Sequence, residues 1–202
     1  MTVGVITSPP MRFWSERMPY LEEFARTHRV LHMGPGREGS MGVKVDKLPQ
    51  VRPDVVMDLN RTPYPFKDNS FDAAYALSVI EHLPNFFGVF GELHRILKPG
   101  GFVVVLTPHF SNEASYIDPS HVLHLSARSF DYFIEGTDIF KTYGFYSNTR
   151  FRVRHSLLMI EPPWNHVPGL QKWANRQPSL YERHLCYLVR GSGIYFELEA
   201  VK

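Results

Sequence analysis

Four side chains between Pro108 and Leu125 have the chemistry to move a proton or hold a cation: His109, Asp118, His121 and His124. Imidazole titrates near neutrality, so it suits the removal of a proton from a hydroxyl group. His121 and His124 stand three apart, and on a helical turn they would share a face. Asp118 would then orient His121 or join it in holding a divalent ion such as Mg2+. A structural reading competes, because Asp118-Pro119-Ser120 also has the form of a helix start, with Asp118 as cap and the histidines merely packed. His109 and His121 are the preferred bases, and Tyr116 and His124 are candidates for the acceptor pocket.

A second group lies upstream. In the stretch Arg29–Asp46 an apolar run ends in glycines at Gly34, Gly36 and Gly39, and a short run then stops on Asp46. Glycines let a backbone turn sharply and pass close to a ligand. An acidic residue at the tip of the next strand can accept both hydroxyls of a ribose. Together they describe a pocket for an adenosine-containing cofactor at the carboxyl edge of a parallel sheet. Gly34-Pro35-Gly36-Arg37-Glu38-Gly39 also satisfies G-x-G-x-x-G literally. A nicotinamide site, however, wants a helix after the glycines and an acidic residue about 20 positions on. The spacer to Asp46 is about half that and contains Gly39 and Gly42, poor helix formers. An NAD(P)-dependent oxidoreductase is therefore the lesser reading.

These residues need a sheet to bring them together. Asp54–Leu59 reads as a buried strand ending on Asp58, Phe71–Leu77 as another, and Phe102–Leu106 as one buried on both faces. Asn85–Leu97 carries Phe86, Phe90, Leu93 and Leu97 on one helical face, and Lys98-Pro99-Gly100-Gly101 stops it. The alternation predicts an α/β fold with mostly parallel strands. Phe13 to Ala25 suggests an amphipathic helix that Pro19 interrupts. Arg150–Ile160 and Ile194–Val201 are later strands, and residues 161–190, with several prolines, Trp164 and Trp173, suggest an appended flap.

The chain of 202 residues fits one domain over residues 1–202, with an N-terminal arm and helix over 1–28. Formal net charge is only +2, which argues against a nucleic-acid partner. A single cysteine, Cys186, excludes an internal disulfide and fits a reducing compartment. No apolar run approaches a membrane span or a signal peptide, so a soluble cytoplasmic protein is expected.

Val55–Leu59 (VVMDL), Pro65–Asp72 (PFKDNSFD), Leu77–Leu83 (LSVIEHL) and Glu92–Gly101 (ELHRILKPGG), in that order after the glycine loop, resemble class I S-adenosylmethionine-dependent methyltransferases of the small-molecule branch. The likeness covers about residues 29–110. Pro108–Phe133, with YIDPSH and SFDYF, resembles a bacterial subgroup associated with glycan modification. The resemblance implies a Rossmann-like sheet with an antiparallel terminal strand. It implies that Gly34, Pro35 and Gly36 pass beside the methionine part of the cofactor, and that Asp46 takes the ribose hydroxyls. Asp58 would accept from the adenine amino group, Leu59 would pack by the ring, and Ser78 and Val79 would flank the sulfonium. Glu81 serves equally as a cap or a site residue.

The chain departs from that pattern in one place. Gly36 to Asp46 has no room for the usual first crossover helix, which is expected to be shortened or absent. One sheet face then needs cover from the N-terminal helix, the 161–190 segment or a second subunit, which makes a homodimer plausible. Arg150, Arg152 and Arg154 alternate, so a strand puts them on one face, either as a solvated edge or, at Arg152, as a site for an anionic group on the acceptor. The tryptophans could stack on sugar rings. The leading expectation is O-methylation of a sugar or other small hydroxylated acceptor with a histidine base. The alternative is a non-catalytic cofactor-fold protein acting as a partner or regulator.

Overall fold

The computed structural model describes residues 11–36 and 41–202. Gly39 and the arm expected over residues 1–10 lie outside them. The first half of the chain runs α1 (Met11–Thr27), β1 (Val30–Met33), β2 (Val43–Asp46), β3 (Val55–Val56), β4 (Phe71–Leu77), α2 (Phe86–Ile96) and β5 (Leu97–Pro108). The second half runs α3 (Ala114–Ile117), α4 (Asp138–Tyr143), β6 (Phe151–Ile160), α5 (Leu170–Arg176), α6 (Pro178–His184) and β7 (Gly191–Ala200). The strands form one seven-stranded sheet in the order β3-β2-β1-β4-β5-β7-β6. β1 to β5 are parallel, and β7 is antiparallel to both β5 and β6. The α/β class, the mostly parallel sheet and the antiparallel terminal strand are as the sequence predicts.

Strand order reverses between β1 and β4. Connections leaving the carboxyl ends of these two strands diverge, and an open α/β sheet binds its ligand in the crevice that results. Gly34 follows β1 and Ser78 follows β4, so the glycine read from the sequence and the serine that the resemblance implies both sit at this switch point.

Residues 34–42 alone connect β1 to the parallel β2, too few for a full crossover helix. Gly42 makes the tight entry possible. Its φ is +60°, and a Cβ there would lie 2.3 Å from the Val30 carbonyl oxygen. The sheet face this leaves bare is covered from within the chain. Leu21 and the half-buried Phe24 of α1 pack with Val30, Met41, Tyr75, Phe102 and Tyr195. The Tyr75 hydroxyl donates to the Leu21 carbonyl at 3.1 Å, and Arg17 reaches Tyr195 and Glu197. The face for which a second subunit was invoked therefore has its cover in α1. The helix also runs through Pro19, which stands on its exposed side. Leu21→Ala is expected to cost about 2–5 kcal/mol, read as a lower urea midpoint.

Other expectations need correction. The buried strand expected over Asp54–Leu59 shrinks to Val55–Val56, with Val56 54% exposed, because β3 is the outermost strand and has one neighbour. Lys98-Pro99-Gly100-Gly101 does end α2, but β5 already begins at Leu97 and this tetrapeptide bulges from it between the Phe71 and Ala73 pairings. Residues 161–190 are no loose flap. Ala174, Tyr181 and Cys186 are fully buried in the main core, and Asn175 and Gln171 hydrogen-bond the backbone of β6 at Leu158 and Ile160. Trp164 and Trp173 remain partly exposed, away from the switch point. No described helix is long and apolar enough to cross a membrane.

Candidate active site

A cleft of about 270 Å³ opens at the switch point, lined among others by Gly34, Asp46, Asp58, Leu59, Ser78 and Val79. Six of the eight residues predicted for the cofactor thus share one cavity. Pro35 and Gly36 are half-buried beside it and are not part of the wall. Lys47, Leu48, Met57, Asn60, His82, Leu83 and Ser120 complete the lining, and the sequence reading missed all seven as site residues. Neighbours of a motif share its cavity once its strand ends, a signal that was present at Lys47, Met57 and Asn60. Ser120 carried no such signal.

Backbone hydrogen bonds tie the strand tips together. Gly34 N–H donates to Val45 at 2.8 Å, and Met57 N–H donates to Asp46 at 2.9 Å. Asp46 is almost wholly buried. Its Oδ1 accepts from the Leu48 N–H at 2.9 Å, leaving its second oxygen uncommitted among the described residues. Asp58 similarly uses Oδ1 on the Asn60 N–H at 3.0 Å. Each carboxylate is thus fixed by its own turn, and the second oxygen of Asp58 lies 3.6 Å from the exposed Arg61 side chain. Ser78 takes a left-handed φ of +54°, a conformation non-glycine residues seldom hold without a local reason.

The wall under Asp58 and Leu59 is held by α2. The Glu92 carboxylate accepts from Arg95 at 3.0 and 2.7 Å and from the Tyr64 N–H at 2.6 Å. Arg95 also donates to the Tyr64 and Phe66 carbonyls, and the Tyr64 hydroxyl donates to the Leu59 carbonyl at 2.8 Å. The Arg95 guanidinium holds Glu92 below the usual carboxylate range. A carboxylate depressed on folding stabilises above its unfolded value of about 4.3, and that contribution is lost as pH falls through the lower folded value. Glu92→Gln is expected to cost about 2 kcal/mol at pH 7. Thermal melts should show the gap to the unsubstituted protein closing below about pH 4.

The histidine segment differs from its expected form. α3 ends at Ile117, and Asp118 begins a turn in which Oδ1 accepts from Ser120 N–H at 2.8 Å and Oγ–H at 2.6 Å. Those hydrogen bonds, the hydroxyl first, hold Asp118 below the ordinary carboxylate range. With no helical turn there, His121 and His124 do not share a face. His124 stacks on the exposed Tyr116 at 4.2 Å and bonds Ser115 at 2.9 Å, and neither ring lines the cleft. His109 is fully buried, with one nitrogen 2.8 Å from the Ser111 hydroxyl and the other 3.2 Å from Glu182. Its expected role as base is corrected: both nitrogens are engaged in the core. Arg152 is likewise no acceptor residue, because β6 is the far edge of the sheet and Arg152 pairs with Glu199. Arg154 also reaches Glu199, but Arg150 turns to Glu135 and Phe140, so the three do not act as one row.

His121 instead points at Glu81 and His82. Val122 and Leu123 both donate backbone N–H groups to the Glu81 carbonyl, at 2.9 and 3.0 Å, which lays the loop over this short helical turn. His121 Nε2 is 4.0 Å from a Glu81 oxygen and 4.0 Å from Asp118. The His82 and His121 rings meet edge to face at 4.6 Å. Burial pushes the Glu81 carboxyl up from its ordinary value, against a partial pull from its own backbone N–H and Thr107. Among the described residues, Glu81, His82 and His121 are the group able to offer ligand atoms to one metal ion, and Asp118 is not in it. The two imidazoles make a poor match to Mg2+, which wants oxygen ligands.

Comparison with known proteins agrees with this geometry. Residues 41–105 match the family model described as a methyltransferase domain. A structure of a SAM-dependent methyltransferase from Archaeoglobus fulgidus superposes with a TM-score of 0.57 at 17% identity, over 94% of this chain and 91% of that one. The chain thus shares the Rossmann-like fold of that structure. Sterol 24-C-methyltransferase erg-4 of Neurospora crassa is 44% identical over 52 residues, which is 24% of this chain and 14% of that protein. Squalene methyltransferase 2 of Botryococcus braunii is 30% identical over 115 residues, 52% of this chain and 30% of its own length. The matched stretches thus span less than a third of these curated relatives. In this fold Gly34, Asp46, Asp58 and Val79 share the cleft at the strand ends, and the Glu81–His121 cluster lies beside it.

Proposed function

We propose that this chain is an S-adenosylmethionine-dependent methyltransferase acting on a hydroxyl of a sugar or another small polar acceptor. The observation that carries the reading is the pair Asp46 and Asp58 at the tips of neighbouring parallel strands, lining one cleft with Gly34 and Val79. The residues fit the cofactor: Asp46 has an oxygen to offer the ribose, Asp58 an acceptor edge for adenine, and Gly34 a surface with no side chain. The cofactor supplies a methyl group already activated by a positive sulfur. The chain's part is alignment, which is an entropic contribution, together with removal of the acceptor proton at the Glu81–His82–His121 end.

A second reading, carbon methylation of an apolar acceptor, is favoured by the names of the sterol and squalene relatives. The matched stretches are too short to bring an acceptor site with them, and His82 and Ser120 make this end of the cleft polar. Titration calorimetry with S-adenosylmethionine and S-adenosylhomocysteine tests the cofactor. A mass-shift screen against sugars and sterols tests the acceptor. Binding of both nucleosides and one added methylene on a sugar are the expected results. A methylated sterol would select the second reading. Absence of nucleoside binding, with capture of a protein partner, would select a non-catalytic role.

A further inference from the structure

We propose that Glu81, His82 and His121 form a binding site for a divalent cation of the zinc type at the acceptor end of the cleft. One ligand atom from each residue lies within 4.8 Å of the others. Glu81 is only 2% exposed, and neither of its carboxylate oxygens has a well-formed hydrogen bond. The Nδ1 of His121 is also buried without a partner. A buried carboxylate facing two imidazoles is costly in either charge state unless something pairs it, and a cation shared by all three does so.

The surroundings orient the ligands as an outer shell does. His82 Nδ1 lies 3.2 Å from the Ser120 carbonyl and 3.0 Å from its hydroxyl oxygen. That carbonyl can only accept, so Nδ1 carries the proton and Nε2 keeps its lone pair for a ligand. Ser120 is in turn fixed by its bond to Asp118 at 2.6 Å. Asp118 therefore acts through Ser120 as a positioning residue for His82, where it had been expected either to orient His121 or to join it in holding the ion. Two nitrogens and one carboxylate suit Zn2+ or another first-row transition ion. Three protein ligands leave a position open, and His82 lines the cleft, so that position faces the space for the acceptor. Bonds of about 2.0–2.2 Å bring donor atoms closer than they now stand, so the 118–124 loop draws in on binding.

The place of this site in the reaction rests on the methyltransferase reading, but its existence does not. The test uses the full chain, stripped with a chelator and titrated with Zn2+ against a competing dye, and with Co2+ followed by visible absorption. One equivalent of Zn2+ and an intense cobalt spectrum are expected. Glu81→Gln and His121→Ala should each weaken Zn2+ binding by about 100-fold or more, and Ser120→Ala by about 10-fold. A cooperative melt and an unchanged far-ultraviolet circular dichroism spectrum report that each variant is folded, and His82→Gln replaces any variant that is not. Zn2+ affinity unchanged in the folded ligand variants, or a cobalt spectrum of the free aqua ion only, would overturn the proposal. Zn2+ bound at these residues without nucleoside binding would leave the metal site standing and remove the cofactor reading. The reverse pattern would do the opposite.

Discussion

Asp46→Ala is expected to weaken S-adenosylhomocysteine binding by about 100-fold or more. A carboxylate that accepts hydrogen bonds in a nearly dry site is worth roughly 1.5–3 kcal/mol per bond. A ribose offers two hydroxyls, and each 1.4 kcal/mol is tenfold in affinity. The substitution has a second consequence, because Asp46 Oδ1 also holds the Leu48 N–H. Asp46→Asn separates the two effects. The amide oxygen can keep the bond to Leu48, so the turn stays intact while the charge is lost. Asn should therefore melt like the unsubstituted protein and still bind at least about tenfold more weakly. Calorimetry on both variants decides the matter. Equal affinity in all three proteins would mean that Asp46 is only a turn residue and that the adenosine grip is misassigned.

Gly34→Ala is expected to have the other large effect, and for a different reason. Gly34 holds a φ of +54°, and a Cβ built on it would lie 2.6 Å from Val79 Cγ2. The left-handed backbone alone costs roughly 1–2 kcal/mol for a residue with a Cβ. The contact adds to that, because both atoms belong to elements that cannot move freely. Val79 is held by its position just past β4, and Gly34 by its bond to Val45. Relief must come from parting the tips of β1 and β4, which deforms the crevice itself. A drop in thermal stability and loss of measurable nucleoside binding are expected together. Adding Val79→Ala should restore part of the stability and leave the backbone strain. If Gly34→Ala bound S-adenosylhomocysteine normally, the close approach of the two strand tips would be irrelevant to the ligand.

Much of this was legible in the chain before any coordinates. The runs ending at Met33, Asp46 and Leu77 are short, apolar and punctuated by glycine or a polar residue, so strand identity and the side on which each strand ends follow from local composition. Because parallel strands all end on one edge, placing Asp46 and Asp58 near each other needed only that the strands be neighbours. That the β1–β2 connection is too short for a full crossover helix could be counted from residue numbers. The cover supplied by α1 could not be singled out, since Leu21 and Phe24 fit a helix face equally well whether they pack on this sheet or on another chain.

The acceptor end was decided by tertiary structure. Sequence spacing placed His121 and His124 together on a helical turn that does not form, because Asp118 and Ser120 satisfy each other and the chain turns instead. His109 ends a strand on the correct edge, and only packing reveals that Glu182 and Ser111 occupy its nitrogens. The juxtaposition of Glu81 with His121 depends on two backbone hydrogen bonds across some forty residues. Local chemistry writes strands, turns and the carboxylates at their tips into the sequence. Which imidazole meets which carboxylate depends on loop geometry, and the loop is fixed by long-range contacts that no residue spacing encodes.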